Sequence, residues 1–365
     1  MKIALVHDHL AQDGGAERVL KIIQQTFVGA PTYTLFYNPQ KADPFFAKQD
    51  IRTSWLQQMP GITKHYQWYL TLMPAAVESL KFEEYDVVLS DTSSFAKGII
   101  TGPQTLHLCY CHTPTRYIWS DRHTYVKELH YNRLVKLAIP AVLSRLRQWD
   151  FMAAQRPDKF LANSALVQKR IAKYYHRPSQ IIHPPVETNN FKIAPKVGNY
   201  FLIGGRLVAY KRYDLAVKAF SRIGLPLKIF GEGPELANLQ KLAKKNIEFL
   251  GKVDYQQLTK LYSECLAFLH PQEEDFGITA VEAMAAGRPV IAYAAGGALE
   301  TVIPGVSGQF IDEQSWEAII DAVIRFKPEN LNPLAIKNQA EKFSVANFQQ
   351  QLLQVVNDGW QEFRN

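Results

Sequence analysis

The sequence predicts an α/β protein of two successive doubly wound domains that face each other across a cleft. Three observations carry this expectation. From the N-terminus on, short apolar runs of strand length alternate with stretches of helical period, the pattern of a parallel sheet with helices on both faces. The same alternation restarts after Pro184-Pro185. The chain's 365 residues exceed one core of ordinary size, and 47% hydrophobic against 21% charged residues lets both halves fold.

Lys2 to Val6 reads as a buried strand, and the loop from Asp8 to Arg18 then opens a helix with apolar positions Val19, Leu20, Ile22, Ile23 and Phe27. Further strands are expected at residues 33–36, 87–89, 106–110 and 159–162, with helical patterns between several of them. In the second half, strand 200–203 runs into the turn Gly204-Gly205-Arg206 and a helix over 212–220, and strands follow at 227–230, 247–250, 267–269 and 290–292. The boundary is expected near residues 187–197. It gives a Rossmann-like domain over residues 1–190 and another over 197–340. A helix at about 345–365 is set apart by Pro328, Pro333 and a polar run, and is expected to pack back onto the first domain. A cleft between the carboxyl ends of two such sheets is a usual place for a ligand.

Charge and cysteine content narrow the function classes. Three cysteines cannot build a disulfide framework and point to a reducing compartment. The apolar run at the N-terminus ends at a charge after four residues, too short for a signal peptide or a membrane span, so a soluble, cytoplasmic protein is expected. The net charge of +7 sits in the first half, where residues 1–190 hold 22 Lys/Arg against 15 Asp/Glu, whereas residues 191–365 hold 19 of each. Residues 116–177 alone hold 13 basic and 4 acidic residues. A solvated helix face is the default reading. An anionic membrane surface is the sharper one, because the aromatic stretch Trp55 to Met73 and the segment Tyr131 to Met152, which carries Arg133, Lys136, Arg145 and Arg147, suit a bilayer interface. That makes peripheral association with the inner membrane face an expectation. Nucleic-acid binding is disfavoured, as no motif of that class occurs.

The most informative segment runs from Pro271 to Ala292: strand end, loop, short helix, Gly287 at the helix end, Pro289, strand. Gly277 lets backbone approach a ligand, and the helix that follows offers unpaired N–H groups and a positive dipole end, a ready anion site. Glu274 and Glu282 stand eight residues apart. On one helix they would lie roughly 12 Å apart, whereas the acid/base pair of a glycosidase needs about 5–9.5 Å. A pair that spans a bound ligand fits better. Several other motifs fail: Gly231-x-Gly233 has Leu236 where a dinucleotide fingerprint needs its third glycine, and there is no Walker A sequence and no Asp-x-Asp. His107, Cys109, Cys111 and His112 lack a second cluster of zinc spacing, so small buried hydrophobes are the better role for the two cysteines.

Glu274-x7-Glu282, within Glu-Asp-Phe-Gly-Ile-Thr-Ala-Val-Glu-Ala-Met-Ala-Ala-Gly-Arg-Pro-Val, resembles the nucleotide-sugar motif of the retaining glycosyltransferases of family 4, which have the GT-B fold. The resemblance covers essentially the full chain. Gly204-Gly205-Arg206-Leu207-Val208-Ala209-Tyr210-Lys211, Gly231-Glu232-Gly233-Pro234 and Gly296-Gly297-Ala298-Leu299-Glu300 are similar to further elements of that family, and Gly14-Gly15-Ala16-Glu17-Arg18 to its opening glycine loop. The segments His112 to Trp119, Asn163-Ser164 and His183 to Val186 look like the branch that contains the mannosyltransferases of O-antigen synthesis. Asp275 departs from the glycine usual in the family.

The resemblance implies a donor site built from Gly15, Arg206, Lys211, Gly233, Val253, Glu274, Phe276, Gly277, Ile278 and Glu282, with His112, Glu274, Arg206 and Lys211 as the catalytic set. Arg206 and Lys211 would neutralise the departing diphosphate, Glu282 accept hydrogen bonds from the ribose hydroxyls, and Glu274 bind hydroxyls of the donor sugar. Amides of Phe276-Gly277-Ile278 would approach the phosphates, Gly15 would let the first domain close over them, and Val253 would lie near the base. His112 would contact the sugar and stabilise an oxocarbenium-like transition state. The implied activity is transfer of a hexose, with mannose from GDP-mannose as the donor, to a glycan or lipid-linked acceptor in polysaccharide synthesis, without metal or other cofactor. No enzymic nucleophile is implied, and Asp8 or Asp13 would be available as an assisting base. A UDP-hexose donor, a sugar-nucleotide epimerase and a silent scaffold are the alternatives.

Overall fold

The computed structural model describes residues 1–120 and 133–365, with side chains from residue 139 on in the second stretch. The chain divides into two compact units: Met1–His183 with Gln349–Asn365, and Pro184–Phe348. Each is built on a parallel sheet.

The first sheet holds seven strands among the described residues: β1 Ile3–His7, β2 Thr32–Thr34, β3 Ile51–Thr53, β4 Val87–Thr92, β5 Leu106–Cys111, β6 Lys159–Ala162 and β7 Ser179–Ile181. Their order is β3-β2-β1-β4-β5-β6-β7, all parallel. β4 and β5 are buried along their whole length, as central strands covered on both faces must be. The helix Gly15–Thr26 buries Val19, Leu20, Ile22 and Ile23, one stripe of a 3.6-residue period. Cys109 and Cys111 are buried with Ala154, Phe160, Ala162 and Val167, in the role of small apolar residues.

The second sheet holds β8 Phe201–Gly204, β9 Leu227–Phe230, β10 Ile247–Gly251, β11 Phe268–His270, β12 Val290–Tyr293 and β13 Gly308–Ile311, in the order β10-β9-β8-β11-β12-β13 and again parallel. Alternation along the strands feeds two cores: Leu202, Phe268 and Val290 enter one, and Phe201, Ile203, Leu269 and Ile291 the other. Helices therefore cover both faces. Each unit is thus a Rossmann-like parallel sheet with helices on both faces.

In both sheets the order reverses direction once, between β1 and β4 and between β8 and β11. Loops leave these neighbours toward opposite faces, which opens a crevice at their carboxyl ends. Three strands were not expected from the sequence. β3, β7 and β13 are three or four residues long and none is buried throughout, so none leaves an apolar run to read.

The last helix, Val345–Arg364, buries Phe348, Leu352 and Val356, and its Gly359 lies against Leu106 and Leu108 of β5. Lys159 pairs with Glu362 at its end. Several members of the basic surplus serve the fold of the first unit. Arg156 pairs with Glu78 at 2.6 Å, Arg147 donates to the Ile118 carbonyl at 2.7 Å, and Arg177 donates to the Pro157 carbonyl at 2.7 Å. Arg133 and Lys136 lie outside the described side chains. Among the described residues no helix is long and apolar enough to cross a membrane.

Candidate functional site

In the second unit the crevice is lined by the two segments that leave β8 and β11. After Gly204 the chain takes a left-handed turn at Gly205 (φ +125°) and runs through Arg206 and a 3-10 turn, Ala209–Lys211, into the helix Tyr213–Ile223. This turn is buttressed by the one that follows β9. A Cβ on Gly231 would stand 1.9 Å from the Gly205 carbonyl oxygen, and one on Gly233 2.2 Å from that of Leu207, so backbone touches backbone at both places. Leu207 donates its N–H to the Glu232 carbonyl at 2.8 Å and accepts from the Glu235 N–H at 3.1 Å. Gly231 and Gly233 are thus required to hold Arg206 in place. Arg206 itself is exposed.

Lys211 reaches from this turn to the loop after β11, where its Nζ lies 2.8 Å from Glu274 Oε1. Both groups are largely buried. Burial alone would push the Glu274 carboxyl up, but the Lys211 charge outweighs it and holds that carboxyl below its ordinary value. Burial would likewise lower the Lys211 ammonium, and Glu274 carries it above its ordinary value. The pair is ionised on both sides.

Gly277 (φ +91°) turns the loop into the helix Ile278–Ala285, a backbone conformation that other residues adopt only with strain. The buried His270 ring stands next to it, 3.0 Å from the position of a Cβ there. Gln272 Nε2 donates to His270 Nδ1 at 3.1 Å, which leaves the proton on Nε2, and burial lowers the ring's pKa and keeps it neutral. His270 Nε2, Gln272 Oε1 and Thr279 Oγ1 are buried and make no hydrogen bond among the described residues. Three polar atoms without partners around one glycine, beside the free N–H groups of a helix's first turn, make polar capacity for a ligand. Glu282 is buried on the same helix, where it accepts a 3.0 Å hydrogen bond from Tyr262 Oη. Phe276 packs edge-on against Phe343, and the half-buried Val253 and Ile278 pack on the core that contains both.

The loop Ala294–Gly297 supports Glu274 from behind. Gly297 donates its N–H to the Glu274 carbonyl at 2.9 Å, and a Cβ on Gly296 would stand 2.3 Å from that same oxygen. The pattern Gly296-Gly297 was visible in the sequence, but its purpose needed the partner backbone.

In the first unit the reversal point carries a cavity of about 330 Å³ that reaches from Asp8 and Gln12 to Tyr66, Met73 and Arg116. Gly14 caps the helix that Gly15 begins. The Asp8 carboxylate accepts from the N–H groups of Ser93, Phe95 and Ala96, each at 2.7 Å, and from Thr92 Oγ1 at 3.1 Å, and so fixes the loop after β4. His112 follows β5 and lies with Nε2 2.7 Å from Asp91 Oδ1, at the end of β4. Sequence reading missed Asp91. The signal was a charged residue in the polar end, Ser90-Asp91-Thr92, of a strand that is buried throughout, in register with His7 at the end of β1.

Residues 186–343 match the family described as "Glycosyl transferases group 1". The match takes in most of the second unit and none of the first. An uncharacterized glycosyltransferase of Methanocaldococcus jannaschii is 28% identical over 170 residues, 45% of this chain and 48% of that protein. An alpha-1,3/1,6-mannosyltransferase of Dictyostelium discoideum is 26% identical over 334 residues, 75% of this chain and 76% of that protein. The chain spans about half the length of several curated relatives that it matches. Among solved structures, HepE of Anabaena in complex with UDP shares the fold, with a TM-score of 0.71 at 20% identity over 98% of this chain and 100% of that one.

The matched stretch lies within the second unit, where Arg206, Lys211, Gly233, Val253, Glu274, Phe276, Gly277, Ile278 and Glu282 all reside. Gly15 and His112 belong to the first.

Proposed function

We propose that this protein transfers a hexose from a nucleotide-sugar donor to a glycan or lipid-linked saccharide with retention of configuration, in polysaccharide synthesis. The observation that carries the reading is the Lys211–Glu274 pair beside Gly277, at the reversal point of the second sheet. A hexose hydroxyl can donate to the ionised Glu274, Arg206 and Lys211 face the charge that grows on the leaving diphosphate, and Glu282 awaits the ribose. His112 acts on the transferring sugar. The anomeric carbon loses its bond to the diphosphate oxygen and gains one to the acceptor oxygen, and the acceptor proton passes to the departing diphosphate. Positive charge comes from side chains in this scheme, so activity is expected to survive chelation of divalent metals.

Mannose from GDP-mannose is the proposed donor, in keeping with the Dictyostelium mannosyltransferase among the relatives. A UDP-hexose is the second reading, favoured by HepE, which was crystallised with UDP. Thermal stability against GDP, UDP, ADP and their sugars separates them, because a ligand that binds only the folded state raises Tm. A shift with GDP and GDP-mannose alone supports the first reading, and a shift with UDP species alone replaces it with the second. No shift with any nucleotide removes both. Association of the first unit with anionic membrane remains part of the proposal. Trp55, Trp68 and Leu72 are exposed along one short segment, and Trp68 is 66% exposed.

A further inference from the structure

A line of four buried ionisable side chains crosses the carboxyl edge of the first sheet. Glu17 comes from the helix after the glycine loop, His7 ends β1, Asp91 lies in β4, and His112 follows β5. His7 Nδ1 lies 2.8 Å from Asp91 Oδ2, and His7 Nε2 lies 3.7 Å from Glu17 Oε1. Asp91 Oδ1 takes up His112 Nε2 at 2.7 Å, and Gln12 Nε2 donates to Glu17 Oε1 at 2.9 Å.

We propose that Glu17, His7 and Asp91 form a relay that fixes the ring orientation and tautomer of His112, with Glu17 and His7 as positioning residues. The proposal rests on the reading of His112 as the group that meets the sugar. An ionised carboxylate only accepts, so both rings must donate to Asp91, His7 through Nδ1–H and His112 through Nε2–H. Nδ1 of His112 is then the atom left to face the reaction, and its position is set by how Asp91 is turned. His7 sets that turn, because its Nδ1–H holds Oδ2 and so aims Oδ1 at His112.

Glu17 keeps His7 a donor at both nitrogens. Burial would strip the ring of its proton, but Asp91 and Glu17 overcome this and raise its pKa to about 10. Against their own burial, His112 and then His7 hold Asp91 below the ordinary carboxylate range, and His7 and then Gln12 hold Glu17 below it. Other charged or titratable groups near this line are Asp8, committed to the loop after β4, His9, which burial keeps neutral, and Tyr110 and Cys109 of β5, whose hydroxyl and thiol burial keeps protonated. Glu17 also lies against the glycine loop, where a Cβ on Gly14 would meet its Oε2 at 2.8 Å and Gln12 donates to its Oε1. One device thus joins that loop to His112.

Nitrogen-15 NMR of the full chain with labelled histidine tests the relay without any substrate, the His112 signals being assigned from His112→Gln. The wild type is expected to show His112 as the Nε2–H tautomer and His7 doubly protonated at pH 8. His7→Leu, which has no donor, is expected to mix the His112 tautomers, and His7→Asn, whose amide N–H sits near the place of Nδ1–H, to restore the single one. Glu17→Gln is expected to bring His7 deprotonation down into the accessible pH range, and it keeps the test alive if His7→Leu does not fold. Release of nucleoside diphosphate from GDP-mannose and from UDP-glucose should fall about tenfold or more in His7→Leu, as for other orienting partners, and recover in His7→Asn. An Nδ1–H tautomer in the wild type, or one unchanged in His7→Leu, overturns the proposal. If His112→Ala keeps full turnover while the tautomer result holds, the role of His112 fails and the relay stands.

Discussion

Replacing Lys211 by Met removes one charge of a pair that is 12% and 17% exposed, and the outcome can be worked from the structure. At 2.8 Å, with an effective dielectric constant of ~20, the two charges attract by about 6 kcal/mol. Desolvation of both groups offsets most of that. A net coupling of about 1–3 kcal/mol is expected from a double-mutant cycle with Glu274→Gln. Each single variant should lose about 3 kcal/mol, more than the coupling alone, because it leaves a buried charge without its partner. The pH dependence gives a second sign. In the wild type the Glu274 carboxyl is depressed, so its contribution is present above the ordinary carboxylate range and is lost as pH falls through the folded value. In Lys211→Met burial dominates instead and raises the carboxyl, so that variant should recover stability relative to wild type between pH 7.5 and pH 5. Urea denaturation of the four proteins at both pH values measures all of this. Additivity within about 0.3 kcal/mol, or a Lys211→Met deficit that grows at pH 5, would refute the pairing argument.

Further expectations follow from single features. Gly277→Ala forces a side chain into a left-handed conformation and against His270, and should cost about 1–3 kcal/mol by urea denaturation; a loss below about 0.3 kcal/mol would show that the loop relaxes freely. His7 has a folded pKa raised above its ordinary value, so its contribution is fully present below about pH 6.5 and is lost as pH rises through about 10. The denaturation midpoint of wild type should therefore fall over that window, and that of His7→Asn should lack this component; identical profiles would contradict it. Wild-type protein should bind vesicles that contain anionic lipid, and Trp68→Ser with Arg145→Glu should bind them less at equal Tm. Equal binding, or none by either, leaves the exposed aromatic and basic groups as ordinary surface.

The alternation of apolar and amphipathic runs carried the two-sheet architecture because the long central strands are buried at every position, as in β4 and β5. Edge strands such as β7, with Ser179 and Ile181 half-buried about an exposed Gln180, leave no such trace. In the candidate site, features set by local sequence were legible: the turn at Gly277 and the helix after it, with Glu274 and Glu282 on either side. Contacts made across the sheet were not. His7 and Asp91 are 84 positions apart and meet only because β1 and β4 pair in register. The structural role of Asp8 was hidden for the same reason, since the three amides that it holds come from residues 93–96. Gly231, Gly233, Gly296 and Gly297 stood out as a pattern, and each turned out to face the backbone of another loop, which no local reading supplies.

The central claim is that the second unit holds the nucleotide-sugar through Lys211, Glu274 and Glu282. Calorimetric titration of GDP and UDP into wild type, Lys211→Met and Glu282→Gln tests it most directly. Saturable binding of one nucleotide by the wild type, weakened about tenfold or more in both folded variants, is the predicted result. Unchanged affinity in both variants, each with wild-type circular dichroism, would contradict it.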